Sequence, residues 1–84
     1  MKKRKLLQKA VSGSKNLRFN DMTALVESFG FVLVRTTGSH HIFSHLGIPE
    51  LINLQESDGM AKPYQVRQFL KLVERYNLEL EDEK

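Results

Sequence analysis

The chain is 84 residues long, carries a formal net charge of +3 and contains no cysteine. That length holds one domain with a thin core, because a chain this short buries only about 60–65% of the surface its unfolded form exposes. The missing cysteines exclude a disulfide framework, a thiol nucleophile and thiolate zinc sites together, and fit a reducing cytoplasm.

No apolar run approaches the roughly 18 residues of a membrane span. The basic start, Lys2 to Lys5, is followed only by Leu6-Leu7 before polar residues return, too short for the apolar part of a secretion signal. The expectation is a soluble, cytoplasmic protein with no membrane partner. Charge is unevenly spread. Residues 1–19 hold seven basic side chains (Lys2, Lys3, Arg4, Lys5, Lys9, Lys15, Arg18) and no acidic one, whereas the remainder holds six basic and ten acidic residues. A polyanion would be drawn first to the N-terminal arm.

In chain order, residues 3–12 have helix-forming composition with Leu6, Leu7, Ala10 and Val11 on one side. Ser12-Gly13-Ser14 then breaks the pattern. Asn20 is placed to cap a helix whose apolar residues Met22, Leu25, Val26 and Phe29 recur at i, i+3, i+4, i+7, and Gly30 stands where a left-handed stop is wanted. Residues 31–37, rich in β-branched side chains, predict a strand ended by Gly38-Ser39. Residues 40–45 predict a second and 51–55 a short third, with 56–61 as loop.

Pro63 suits the first turn of a last helix, along which Val66, Phe69, Leu70, Val73 and Tyr76 form the apolar stripe. Three consecutive strands joined by short connections imply an α+β fold with a three-stranded antiparallel meander, helices on one face and the other face open. Residues 1–17 read as a basic arm or helix, 18–78 as the domain, and 79–84 as an acidic tail, with residues 78–84 expected to fray.

His40, His41 and His45 fall within six residues. Neighbours on a strand point to opposite faces, so His40 and His41 cannot share an ion. His41 and His45 stand ~13 Å apart at about 3.3 Å per residue, whereas zinc needs its ligand nitrogens at about 2 Å. No metal and no cofactor is expected. A single histidine is enough to cut RNA, whose 2′-hydroxyl is a built-in nucleophile needing only a positioned base and cationic support. His40, just after Gly38-Ser39 where a rigid strand meets an accessible turn, is the candidate. An incidental strand histidine is the alternative.

The run Phe29-Gly30-Phe31, followed by Thr37-Gly38-Ser39-His40-His41-Ile42-Phe43, resembles the signature of HicA-type toxins of bacterial toxin–antitoxin systems. The resemblance covers roughly residues 18–78. It implies an αβββα domain related in shape to double-stranded-RNA-binding domains, here with an extra N-terminal helix. It also implies a glycine, a small residue and a catalytic histidine at the start of the second strand, places filled by Gly38, Ser39 and His40. His41 falls at the next, more variable position. A HicB-type antitoxin as partner, messenger RNA as substrate, and slowed translation and growth on loss of the antitoxin are further implications. The chain departs from the pattern in its first 17 residues, in a body that is not strongly basic, and in the third strand, where Leu51-Ile52-Asn53-Leu54-Gln55 replaces the proline and histidine of many members.

Other candidates each have a plain rival explanation. Lys62, before the last helix, resembles the lysines that double-stranded-RNA-binding domains place on phosphates, or is a solvated lysine beside a proline. Arg67, Lys71 and Arg75 form either a phosphate-tracking ridge or the wet side of an amphipathic helix. Arg35 lies a short turn from His40, where a guanidinium would steady a pentacovalent phosphate, or is an exposed strand arginine.

Five phenylalanines are better read as core than as base-stacking platforms, with the face of Phe43 depending on a register the sequence leaves open. The expectation is a metal-independent endoribonuclease with His40 catalytic, as general base on the 2′-hydroxyl or general acid on the departing 5′-oxygen, Gly38 and Ser39 shaping the turn, and Arg35, His41, Lys62, Arg67 and Lys71 contacting RNA. A non-cutting RNA-binding module and a protein-interaction domain are the rivals.

Overall fold

The computed structural model describes residues 3–12 and 17–81. Gly13 and Ser14 of the expected break, Lys15, and positions 82–84 of the acidic tail lie outside the described residues. The elements are α1 (Lys3–Val11), α2 (Phe19–Ser28), β1 (Val32–Thr37), β2 (His40–Ser44), β3 (Ile52–Ser57), β4 (Met60–Ala61) and α3 (Pro63–Tyr76). None of these helices is long and apolar enough to cross a membrane.

Leu6 and Ala10, one helical turn apart, bury themselves in the common core, so α1 packs on α2 by an apolar stripe while Arg4 and Lys5 stay exposed. Val11, expected on that stripe, is exposed. The stripe of α2 is as expected: Met22, Leu25, Val26 and Phe29 are all buried. Its start is not. Asn20 does not cap it; the helix begins at Phe19 with Arg18 at the cap position and no side-chain cap bond. Another backbone does the work. Phe19 N–H donates to Gly59 O at 3.0 Å and Ala61 N–H donates to Leu17 O at 2.9 Å, so an otherwise orphaned helix donor is met by the β3–β4 turn. Gly30, at φ +95°, turns the chain out of α2 into β1.

The sheet is antiparallel throughout, in the order β1-β2-β3-β4. It has four strands where the sequence suggested three. The residues taken as loop, 56–61, complete β3, turn at Asp58-Gly59 with both φ values positive, and pair back as β4. Aspartate–glycine is a strong two-residue hairpin signal, but β4 spans two residues, too few to show alternation.

Phe43 aligns with Ile52, and His41 with Leu54. Phe43, Ile52 and Leu54 join Val66 and Phe69 of α3 and the α2 stripe in one buried cluster, which fixes this as the helix-covered face. Phe43, at 1% exposure, is core. Asn77, in the left-handed conformation at φ +53°, ends α3. Beyond it the expected fraying does not hold for residues 78–81. Leu78 and Leu80 pack on the core, and Glu81 N–H donates to Ser28 O at 2.7 Å.

Candidate active site

Gly38 and Ser39 form the two-residue turn between β1 and β2, with φ +59° at Gly38. Glycine at the first central position matches the strand twist of a tight hairpin without steric cost. The turn aligns Thr37 with His40, and β3 brings Gln55 to the other side of His40. Because His41 and Phe43 face the helices, His40 and Ile42 face the open side.

Arg35 aligns with Ile42 and so stands diagonally from His40 on the same face. The ladder slips between Leu33 and Arg35, leaving Val34 as the extra residue of a bulge. Leu33 therefore aligns with Phe43, although it is only two residues before Arg35.

The half-buried His40 ring is held by its inner nitrogen: Nδ1 lies 3.2 Å from Asn53 Oδ1. A carbonyl oxygen only accepts, so a hydrogen bond here requires the proton on Nδ1, the tautomer that leaves the Nε2 lone pair free. Next to it, Gln55 links three elements. Its Nε2–H donates to Ser39 Oγ at 3.4 Å, its Oε1 accepts from Lys62 Nζ at 2.8 Å, and its backbone N–H donates to Gln65 Oε1 at 2.9 Å. Glu56 N–H donates to Ser39 O at 3.1 Å. The buried Gln65 thereby covers part of the β3 edge, and Lys62, half-buried at the start of α3, is tethered beside the hairpin. The ammonium keeps donors to spare.

The other sequence candidates are distributed elsewhere. His41 lies on the helix side, its ring edge against Phe19 at 4.8 Å and its Nδ1 3.3 Å from Ser39 O, where it ties the hairpin to α2. His45 packs its ring on Phe31 at 4.9 Å and accepts the Gly47 N–H at Nδ1, 2.8 Å away. The three imidazoles thus occupy three surroundings. Among the described residues no group of three or more His, Cys, Asp or Glu could hold a metal ion.

Arg67 and Lys71 are exposed along α3 and are joined to the His40 cluster by no hydrogen bond among the described residues. Arg75, the third member of that row, pairs with Glu50 at 3.2 Å. The Tyr76 hydroxyl also donates to Glu50, at 2.6 Å. That bond is the main reason the Glu50 carboxyl sits below the usual glutamate range, and it pushes the Tyr76 phenol up in turn. The expected ridge is therefore partly committed to a local ion pair.

Asn53 and Gln55 are the site neighbours that motif reasoning passed over. Their signal lay in the alternation Ile52-Asn53-Leu54-Gln55, which sends the two amides to the face opposite the buried Ile52 and Leu54.

The family model describing the HicA toxin of bacterial toxin–antitoxin systems matches residues 19–74. The chain belongs to the HicA toxin family. The matched span runs from the first residue of α2 to within α3, so this HicA toxin carries the whole sheet and the His40 cluster inside it, with α1 before it. HicA toxins generally cleave RNA. Neither the curated proteins nor the solved structures compared with this HicA chain include a match.

Proposed function

We propose that this HicA toxin is a metal-independent endoribonuclease that cuts messenger RNA with His40 as its proton-transfer residue, and that a HicB-type antitoxin covers the same surface. The observation that carries the reading is the His40 ring on the open sheet face, bound through Nδ1 and offering Nε2. Nε2 takes the proton of a 2′-hydroxyl, and the resulting oxygen attacks the adjacent phosphorus. The 5′-oxygen departs as the P–O bond breaks and takes up a proton, leaving a 2′,3′-cyclic phosphate and a 5′-hydroxyl.

Arg35, diagonal to His40, and Lys62, tethered through Gln55, supply positive charge for the pentacovalent phosphate. Gly38 and Ser39 give the tight turn that lets a backbone phosphate approach. Arg67 and Lys71 extend a cationic track along α3 for the flanking strand. His41, turned toward Phe19, supports the hairpin.

The test is RNA incubated with the protein in excess EDTA, alongside His40→Ala. Cleavage by the parent should persist, and the variant should be slower by about 10²–10⁴-fold, the usual worth of a positioned acid–base group. RNA that is retarded but left intact would point to a binding module. Equal cutting by parent and variant would remove His40 from the chemistry.

A further inference from the structure

Strand β3 carries a residue whose place against His40 gives it a specific task. Asn53 aligns with Ile42, so it projects onto the open face one step diagonally from His40. Its Oδ1 lies 3.2 Å from His40 Nδ1. The opposite nitrogen, Nε2, takes no hydrogen bond within the described residues. A neutral imidazole left to itself in water favours the tautomer with its proton on Nε2, which would present an N–H to the substrate and no lone pair. An acceptor at Nδ1 reverses that preference. It also restrains the ring's rotation, which favours a base that must meet one hydroxyl.

We infer that Asn53 is a positioning residue that holds His40 as the Nδ1–H tautomer, so that Nε2 is the nitrogen that exchanges protons with RNA. The inference rests on the nuclease reading for its consequence but not for its geometry. The amide is suited to the task because it accepts a hydrogen bond without adding a charge. A carboxylate there would accept equally well but would favour the imidazolium form. Asn53 is exposed and outside the core cluster, so replacing it leaves the packing of β3, carried by Ile52 and Leu54, in place.

Two variants separate the possibilities. Asn53→Leu keeps the shape and removes the acceptor; Asn53→Asp keeps the acceptor and adds charge. The first readout is the nitrogen-15 spectrum of the histidine rings in the full chain without RNA, which reports the tautomer whether or not the protein cuts. The parent should show His40 protonated on Nδ1 at neutral pH, and Asn53→Leu should move the population toward Nε2–H. The second readout is steady-state cleavage. Asn53→Leu should lose about 10-fold or more in kcat with KM little changed, as expected when a base is misdirected but the binding surface is intact. Asn53→Asp should recover most of that loss and move the acidic limb of the pH–rate profile to higher pH.

A parent His40 carrying its proton on Nε2 would overturn the inference, as would an Asn53→Leu protein with the parent's tautomer and kcat. A parent with the expected tautomer that never cleaves RNA would defeat the nuclease reading alone.

Discussion

Replacing Phe43 by alanine tests the strand register on which the placement of His40 depends. Phe43 is 1% exposed and packs with Ile52, Leu54 and Phe69. Removing a ring from such a site costs about 3–5 kcal/mol, through lost transfer energy and the cavity left behind. A chain of this size is stable by only about 4–13 kcal/mol, at roughly 0.05–0.15 kcal/mol per residue. The change should therefore consume about a quarter of the total or more. Ile42, its neighbour on the open face, is only half-buried, and Ile42→Ala should cost about 1 kcal/mol.

Urea denaturation followed by far-ultraviolet circular dichroism measures both. With a slope of about 1 kcal/mol per molar for a domain this small, Phe43→Ala should lower the midpoint by about 3–5 M or prevent folding, and Ile42→Ala should lower it by about 1 M. A strand has period two, so a one-residue slip exchanges the faces of every side chain. If Ile42→Ala proved the costlier change, Ile42 would be the core residue and His40 would point inward, and the proposed chemistry would fail with it.

Two glycines allow a paired comparison. At Gly38 φ is +59° with nothing within 4 Å of an added Cβ, so Gly38→Ala should cost about 1 kcal/mol of backbone strain. At Gly30, φ is +95° and an added Cβ would sit 3.1 Å from Glu81 Oε2 and 3.2 Å from the His45 ring, so Gly30→Ala should cost about 2 kcal/mol or more. Thermal melts giving Gly30→Ala the higher Tm would contradict this ordering. Tyr76→Phe removes the main cause of the depressed Glu50 carboxyl, so Glu50 should titrate at higher pH in the variant, read by carboxyl carbon-13 NMR. A depressed carboxylate stabilises the fold above its ordinary titration range and loses that contribution as the pH falls through its folded value. The parent's advantage over the variant should therefore shrink in acid, and an unchanged Glu50 titration would show that the hydroxyl bond does not persist in solution.

Much of this architecture could be read from local pattern because local physics decides it. The α2 stripe, the stop at Gly30, the Gly38-Ser39 turn and Pro63 each combine a periodicity with a residue suited to one backbone conformation. What escaped depended on distant partners. Asn20 is a good cap by composition, yet the helix starts at Phe19 because the backbone at Gly59 meets its first donor. The acidic end looks unstructured by charge, but Leu78 and Leu80 find the core. At the site, the tight turn already implied that His40 faces Thr37. Which face the helices cover, and hence the direction of His40 and His41, required the tertiary fold. Asn53 was visible only as an alternating polar residue until the ring of His40 was found against it.

The slip at Val34 has a bearing on how the molecule behaves in crowded solution. β1 is a border of the sheet, and Val32, Leu33 and Val34 are all exposed there, Val34 at 56%. A straight, oily border of six residues invites the same segment of another copy to dock alongside and continue the ladder. The extra residue bends that border between its oily half and the half holding Arg35 and Thr37, so no long, evenly spaced row of free peptide groups is on offer. The irregularity thus works against stacking of copies while the turn-side half keeps its alignment with His40.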